Sequence, residues 1–210
     1  MPFTYNVVTG ASADRLEKLI AARLEPGADK AAVDRRIWRL FGEKWAVLYT
    51  DLSGFSRNVA EFGIVHFLQT IYESHRLLVP LIERDNGILL KTEGDSLLVM
   101  FRQVSDAVRC AVAMQHCTQE YNKTRIDAEK VLLCVGIGYG ELLRIGDADI
   151  FGAEVNAACK LGEDTAKANE ILITGEVSRV ARLPAGASLQ PLESAPAGTD
   201  SAYRLIYPVG

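Results

Sequence analysis

The chain reads as an α+β domain, a mixed and mostly antiparallel sheet with helices on one face. Three observations predict this class. Short β-branched and aliphatic runs close on turn residues, as strands do. Amphipathic stretches at helix spacing separate them. Their order from residue 45 onward is strand, helix, strand hairpin, helix, strand, helix, strand.

Two helices precede that pattern. Over 12–25, Leu16, Leu19, Ile20 and Leu24 recur at helix spacing, with Ser12 as a capping candidate. Pro26-Gly27 ends this helix. Asp29 can cap a second, which carries Val33, Ile37 and Phe41 on one face and stops at Gly42. Residues 1–43 are therefore expected to form a helical segment docked on the main domain, 44–210, or on a partner. Strand 45–50 opens the domain and a long helix follows at 57–84, bent or interrupted at Pro80. Asn86-Gly87 turns into strand 88–92, Glu93-Gly94 makes a tight hairpin turn, and strand 96–101 returns. A helix at 104–121, a strand at 131–138, a hairpin through Gly146-Asp147 and a helix at 152–162 come next. Strands at 170–174 and near 202–207 complete the order, and the Pro, Ala, Gly and Ser of 184–200 suggest a surface loop.

Hydrophobic residues make up 49% and charged residues 24% of the 210, an ordinary globular balance. A net charge of -4 argues against nucleic acid or an anionic membrane as partner. No apolar run approaches the roughly 20 residues that span a bilayer, and no signal-peptide pattern opens the chain. A soluble, cytoplasmic protein without membrane insertion is expected. Cys110, Cys117, Cys134 and Cys159 sit in apolar stretches without a CxxC pair, as buried free thiols do. His66, His75 and His116 lack ligand spacing and read as packed or surface histidines.

The most informative residues are two aspartates at strand ends, Asp51 in AVLYTDLSGFS and Asp95 in GILLKTEGDSLLVMF. A small-residue turn, Ser53, Gly54, Phe55 and Ser56, follows Asp51, and its amides could approach phosphate oxygens. Two carboxylates beside such a turn suggest a pair of divalent cations holding a polyphosphate.

These motifs, with VGIGYG and DIFGAEVNAACKL behind them in order, resemble the catalytic domain of class III nucleotidyl cyclases. The resemblance runs from about Trp45 to the C-terminus, about four-fifths of the chain. It is most similar to bacterial-type homodimeric adenylate cyclases, and it implies the ferredoxin-like βαββαβ cyclase homology domain. By resemblance, Asp51, Asp95 and the carbonyl of Leu52 bind two Mg²⁺ or Mn²⁺ ions. Lys91 and Asp149 match the pair that reads the purine, Asn156 the residue that orients the ribose, and Lys160 the position of a transition-state arginine. A lysine donor paired with a carboxylate acceptor complements adenine, whereas guanine presents the reverse pattern, so ATP is the implied substrate. The implied reaction is in-line attack of the ribose 3′-oxygen on the α-phosphorus, giving 3′,5′-cyclic AMP and pyrophosphate. Because the family shares each site between two subunits, the implied partner is a second copy of the chain.

The chain departs from the pattern in its cations. Lys160 keeps the charge of arginine but not its planar fork. Glu141 stands where well-known members carry an arginine, and 184–203 contain no Lys or Arg. Arg144 is the candidate substitute at the triphosphate. Two other readings follow: a degenerate cyclase-homology domain that binds nucleotide or a partner without turnover, and a cyclase for another nucleoside triphosphate. The N-terminal helices are candidates for dimer contact or for coupling to a regulatory partner.

Overall fold

A computed structural model describes residues 10–54 and 62–208. Two N-terminal helices, α1 (Ala11–Leu24) and α2 (Lys30–Phe41), lead into β1 (Gly42–Leu52). Then come α3 (Ile64–Arg84), β2 (Ile88–Glu93), β3 (Ser96–Phe101), α4 (Val104–Asn122) and β4 (Leu133–Ile145). The chain continues through β5 (Asp149–Phe151), α5 (Ala153–Lys160), β6 (Ile171–Thr174), α6 (Gly175–Val180), β7 (Ser188–Pro191) and β8 (Ala202–Ile206). The sheet order is β2-β3-β1-β4-β6-β8-β7, with β5 pairing the outer end of β4. Its first four strands have the order of a ferredoxin-like βαββαβ unit. Every pairing is antiparallel except β4 with β6.

The two faces of the sheet are read off β1, where side chains alternate. Ala46, Leu48 and Leu52 point to the main core, which Leu78 and Ile82 of α3, Val104, Val108 and Met114 of α4 and Val177 of α6 complete. Trp45, Val47 and Tyr49 point to the opposite face, where Val155 and Ala158 of α5 pack. The expectation of helices on one face therefore holds for α3, α4 and α6, and α5 corrects it. The reason lies in VGIGYG. Gly136, Gly138 and Gly140 alternate along β4 and so clear one face of side chains. A Cβ at Gly136 would collide with the carbonyl of Ala158, and one at Gly138 with that of Glu154. The helix rests on bare strand backbone. Glu154 fastens it there, its carboxylate accepting from Tyr139 N at 2.9 Å and from the Thr174 hydroxyl at 2.6 Å.

Leu19, Ile37 and Phe41 of α1 and α2 pack on Ile145, at the end of β4. Asp29 caps α2 by accepting from Ala32 N at 3.0 Å. Ser12, by contrast, lies inside α1, which begins one residue earlier after Gly10. The helix expected from 57 is described over Ile64–Arg84 and runs through Pro80; residues 57–61 lie outside the described residues. β4 continues past 138 to Ile145, because β5 extends the ladder as far as Ile145 opposite Asp149. The 184–200 stretch is not all loop. Ser188–Pro191 pairs with β8 as an edge strand, where Pro191 is tolerated. All four cysteines are free, with Cys110 and Cys134 buried. No helix among the described residues is long and apolar enough to cross a membrane.

Replacing Gly138 by alanine should force α5 off the sheet, because the obstacle is backbone and cannot swing aside. A loss of about 3 kcal/mol or more is expected in urea denaturation. An unchanged midpoint would show that α5 is not seated on β4 as described.

Candidate active site

Asp51 ends β1 on the α5 face, and the β2–β3 hairpin carries Asp95 to it. Glu93 pairs with Ser96, so the two-residue loop is Gly94-Asp95, and Gly94 takes φ +60 at its first position. The turn is thus one residue further along than Glu93-Gly94. A left-handed first residue is what such a tight hairpin demands of glycine. Ser96, unnoticed in the sequence, donates its hydroxyl to Asp51 Oδ1 at 3.3 Å.

Both carboxylates are half-buried and electrostatically strained. Burial, reinforced by the charge of Asp95, pushes Asp51 up to about 6, against the Leu52 amide and the Ser96 hydroxyl that favour its ionised form. Burial also raises Asp95, opposed by hydrogen bonds from its own amide and that of Leu52 and by nearby His75. Among the described residues Asp95 Oδ2 is buried without a hydrogen-bond partner. Two oxygen-donor side chains that repel each other and leave a lone pair unspent fit a hard divalent cation. Among the described residues no third acidic, His or Cys ligand joins them. A pair of carboxylates could hold a divalent cation that took its other ligands from outside the protein. Ser53 N bonds Leu132 O at 2.8 Å and Gly54 has φ +93; Phe55 and Ser56 lie outside the described residues.

Lys91 and Asp149 come together on the same face of the sheet. Lys91 Nζ lies 3.2 Å from Asp149 Oδ1, and both line a cavity of about 240 Å³. Its floor is Tyr49 and Leu98, and its walls are Ile150, Val155 and Cys159. A bulge in β2 puts Lys91 there. Leu89 opposes Val99 on the main-core face, yet Lys91, two residues on, opposes Leu98 on the cavity face. One extra residue, Leu90, has switched the alternation, which is how bulges re-aim side chains. Asp149 is held from behind by Ile150 N, which donates to its Oδ1 at 2.9 Å. Burial raises Tyr49 to about 12 and Cys159 to about 11, so both stay protonated and neutral at physiological pH.

Asn156 and Lys160 sit one helical turn apart on α5. Asn156 Nδ2 donates to Ala197 O at 3.0 Å, and Lys160 lies 3.5 Å from Asp164 Oδ2. Among the described residues neither bonds to Asp51 or Asp95. Arg144 is engaged in the β4–β5 hairpin, donating to Gly146 O at 3.1 Å and to Asp147 Oδ1 at 2.7 Å. It also lies 5.3 Å from the centre of the Trp45 ring.

Residues 42–194 match the family described as adenylate and guanylate cyclase catalytic domain. A serine/threonine-protein kinase, pkn2, of Myxococcus xanthus is 29% identical over 145 residues, which cover 69% of this chain and 17% of that protein. A putative adenylate cyclase 3 of Rhizobium meliloti is 29% identical over 116 residues, 55% of this chain and 20% of that protein. The chain thus spans about a fifth of the length of these curated relatives. Among solved structures, an adenylate/guanylate cyclase/hydrolase from Silicibacter pomeroyi superposes with TM-score 0.67 at 24% identity, over 80% of this chain and 98% of that one. The adenylyl cyclase CyaB from P. aeruginosa gives 0.66 at 19% over 80% and 95%, and the guanylyl cyclase Cya2 gives 0.59 at 18% over 80% and 94%.

The raised Asp51 has a direct consequence. Its folded value of about 6 exceeds that of a free carboxyl near 4, so the metal-free fold gains stability as pH falls through that window. Cation binding needs the ionised form and must weaken over the same range. Mn²⁺ titrations should show affinity about ten-fold lower at pH 5 than at pH 7.5. Asp51→Asn should abolish that binding while raising the melting temperature of the metal-free protein at neutral pH.

Proposed function

Because this chain belongs to the adenylate and guanylate cyclase catalytic-domain family, we propose that it is an adenylate cyclase, converting ATP to 3′,5′-cyclic AMP and pyrophosphate as a head-to-tail homodimer. The observation that carries the base assignment is the 3.2 Å pair of Lys91 and Asp149 in one cavity. Lys91 donates to the ring nitrogen of adenine and Asp149 accepts from its amino group. Leu98, Ile150 and Val155 supply apolar contact for the ring. The name of the Rhizobium meliloti relative, putative adenylate cyclase 3, agrees with this choice.

Asp51, Asp95 and the carbonyl of Leu52 are the groups that would hold Mg²⁺ or Mn²⁺. Bound there, the cations neutralise the polyphosphate and acidify the ribose 3′-hydroxyl. The amide of Gly54, with those of Phe55 and Ser56 after it, lies next in sequence for the phosphate oxygens, whereas that of Ser53 is spent on Leu132 O. Asn156 orients the ribose, and the Lys160 ammonium faces the charge that grows on the α-phosphate. Asn156 and Lys160 do not bond to the aspartates of their own chain, which supports a site completed by a second copy. Regulation through α1 and α2 belongs to the same proposal, since they pack on the arm that β4 and β5 form.

One observation favours a second reading, binding without turnover. Arg144 is spent on Gly146 and Asp147, which leaves Lys160 as the named cation for the phosphates. Product formation from each of the four ribonucleoside triphosphates, with Mn²⁺ and then Mg²⁺, separates the two. Cyclic AMP from ATP, rising faster than linearly with protein concentration, is the expected result; bound ATP with no cyclic product would select the second reading.

Sharing of the site has its own test. Asp51→Ala and Asn156→Ala should each be inactive alone, since each spoils both sites of its homodimer. Mixed in equal amounts they should recover about a quarter of wild-type activity, because half the dimers are hybrids with one intact site. No recovery on mixing would place all the working residues of a site in one chain.

A further inference from the structure

Lys91 has a second carboxylate partner that the purine-reading pair does not include. Its Nζ lies 2.9 Å from Glu93 Oε1, closer than the 3.2 Å to Asp149 Oδ1. All three residues line the same cavity. The β2 bulge explains the meeting. Beyond Leu90 the strand alternates regularly, so Lys91 and Glu93, two residues apart, share the cavity face. The hydrogen bond to Glu93 is also the foremost cause raising Lys91 above its ordinary value.

The donor count gives this contact a meaning. An ammonium has three N–H donors and no acceptor. With one directed at Glu93 and one at Asp149, a single donor is left for a base. A lysine on its flexible four-carbon stem would otherwise swing and offer two. Asp149 is itself fixed by Ile150 N, so the ammonium is held between two carboxylates at a defined place.

We propose that Glu93 is a positioning residue for base selection: it pins the Lys91 ammonium so that the cavity presents one donor beside one acceptor, favouring a 6-amino over a 6-oxo purine. This inference rests on the purine reading of the cavity given above. Adenine offers an acceptor at N1 and a donor at its 6-amino group, matching a fixed donor and a fixed acceptor. A 6-oxo purine offers the two in exchanged places, so Lys91 would have to move to meet it. Glu93 prevents that movement. Its side chain is 63% exposed, so its loss should change selectivity far more than folding.

The test compares kcat/KM for ATP and for inosine triphosphate in wild type, Glu93→Ala and Glu93→Gln. Wild type should prefer ATP, and Glu93→Ala should reduce that preference about ten-fold, mainly by improving the inosine nucleotide. Glu93→Gln keeps an acceptor oxygen and should retain an intermediate preference. An unchanged ratio in Glu93→Ala would overturn the proposal, even if both rates fell together, since that is the mark of a structural role. A wild type that does not distinguish the two nucleotides would overturn it as well. Displacement of a fluorescent ATP analogue, run in parallel, gives the same ratio without requiring turnover. A wild type that binds neither nucleotide there refutes the purine reading itself, whereas discrimination that survives in Glu93→Ala refutes only the role of Glu93.

Discussion

The seat of α5 on β4 is the constraint on which the rest of the site depends. Three alternating glycines strip one face of the longest strand, and the helix lies directly on backbone. Close packing without side chains leaves little freedom to slide, and Glu154 ties the helix at both Tyr139 N and the Thr174 hydroxyl. Three consequences follow from this one contact. Val155 and Cys159 become walls of the cavity that Lys91 and Asp149 line. Asn156 and Lys160 are left exposed, bonded to Ala197 O and paired with Asp164 rather than with the aspartates of their own chain. The backbone after Lys160 relaxes through a wide turn, Leu161–Thr165, that lets Gly162 pass beside Tyr49 on the cavity floor.

The electrostatics divide the same face into two chemically opposite regions. Around Asp51 and Asp95 negative charge is concentrated, half-buried and short of partners, a state that a cation relieves. Around Lys91 the charge is already compensated by Asp149 and Glu93, so what remains is directional hydrogen bonding. The first region suits a polyphosphate with its metals and the second a neutral heterocycle. A nucleoside triphosphate has these two ends.

Much of this was readable in the sequence because it is carried by local pattern. Strand-length apolar runs, the Asp29 cap and the turn glycines each act within a few residues, and they marked the elements in order. The motifs named Asp51, Asp95, Lys91 and Asp149, and the structure places the last two in contact. What escaped depends on partners distant in the chain. The bulge at Leu90 is defined only by the opposing Val99 and Leu98, and the Ser96 bond to Asp51 spans two strands. Glu93 looked like a turn residue until its strand register was known. β7 was missed because four residues with a single large apolar side chain carry no alternation of their own. The side occupied by α5 follows from glycine parity along β4, a signal present in VGIGYG but silent until the helix is laid on it.

The β2 bulge also fixes where this domain can change length. A strand that already carries one unpaired residue can absorb another insertion or deletion there with a local adjustment, so the interval from Gly87 to Lys91 is elastic. Lys91 to Asp95 is not. Those residues run in strict alternation from the bulge to the hairpin tip, so a single added residue between them would turn the lysine from the cavity into the apolar layer beneath α3 and α4. Across a lineage, Lys91 and Asp95 should therefore be inherited as one rigid interval, with drift in length confined to the stretch before it.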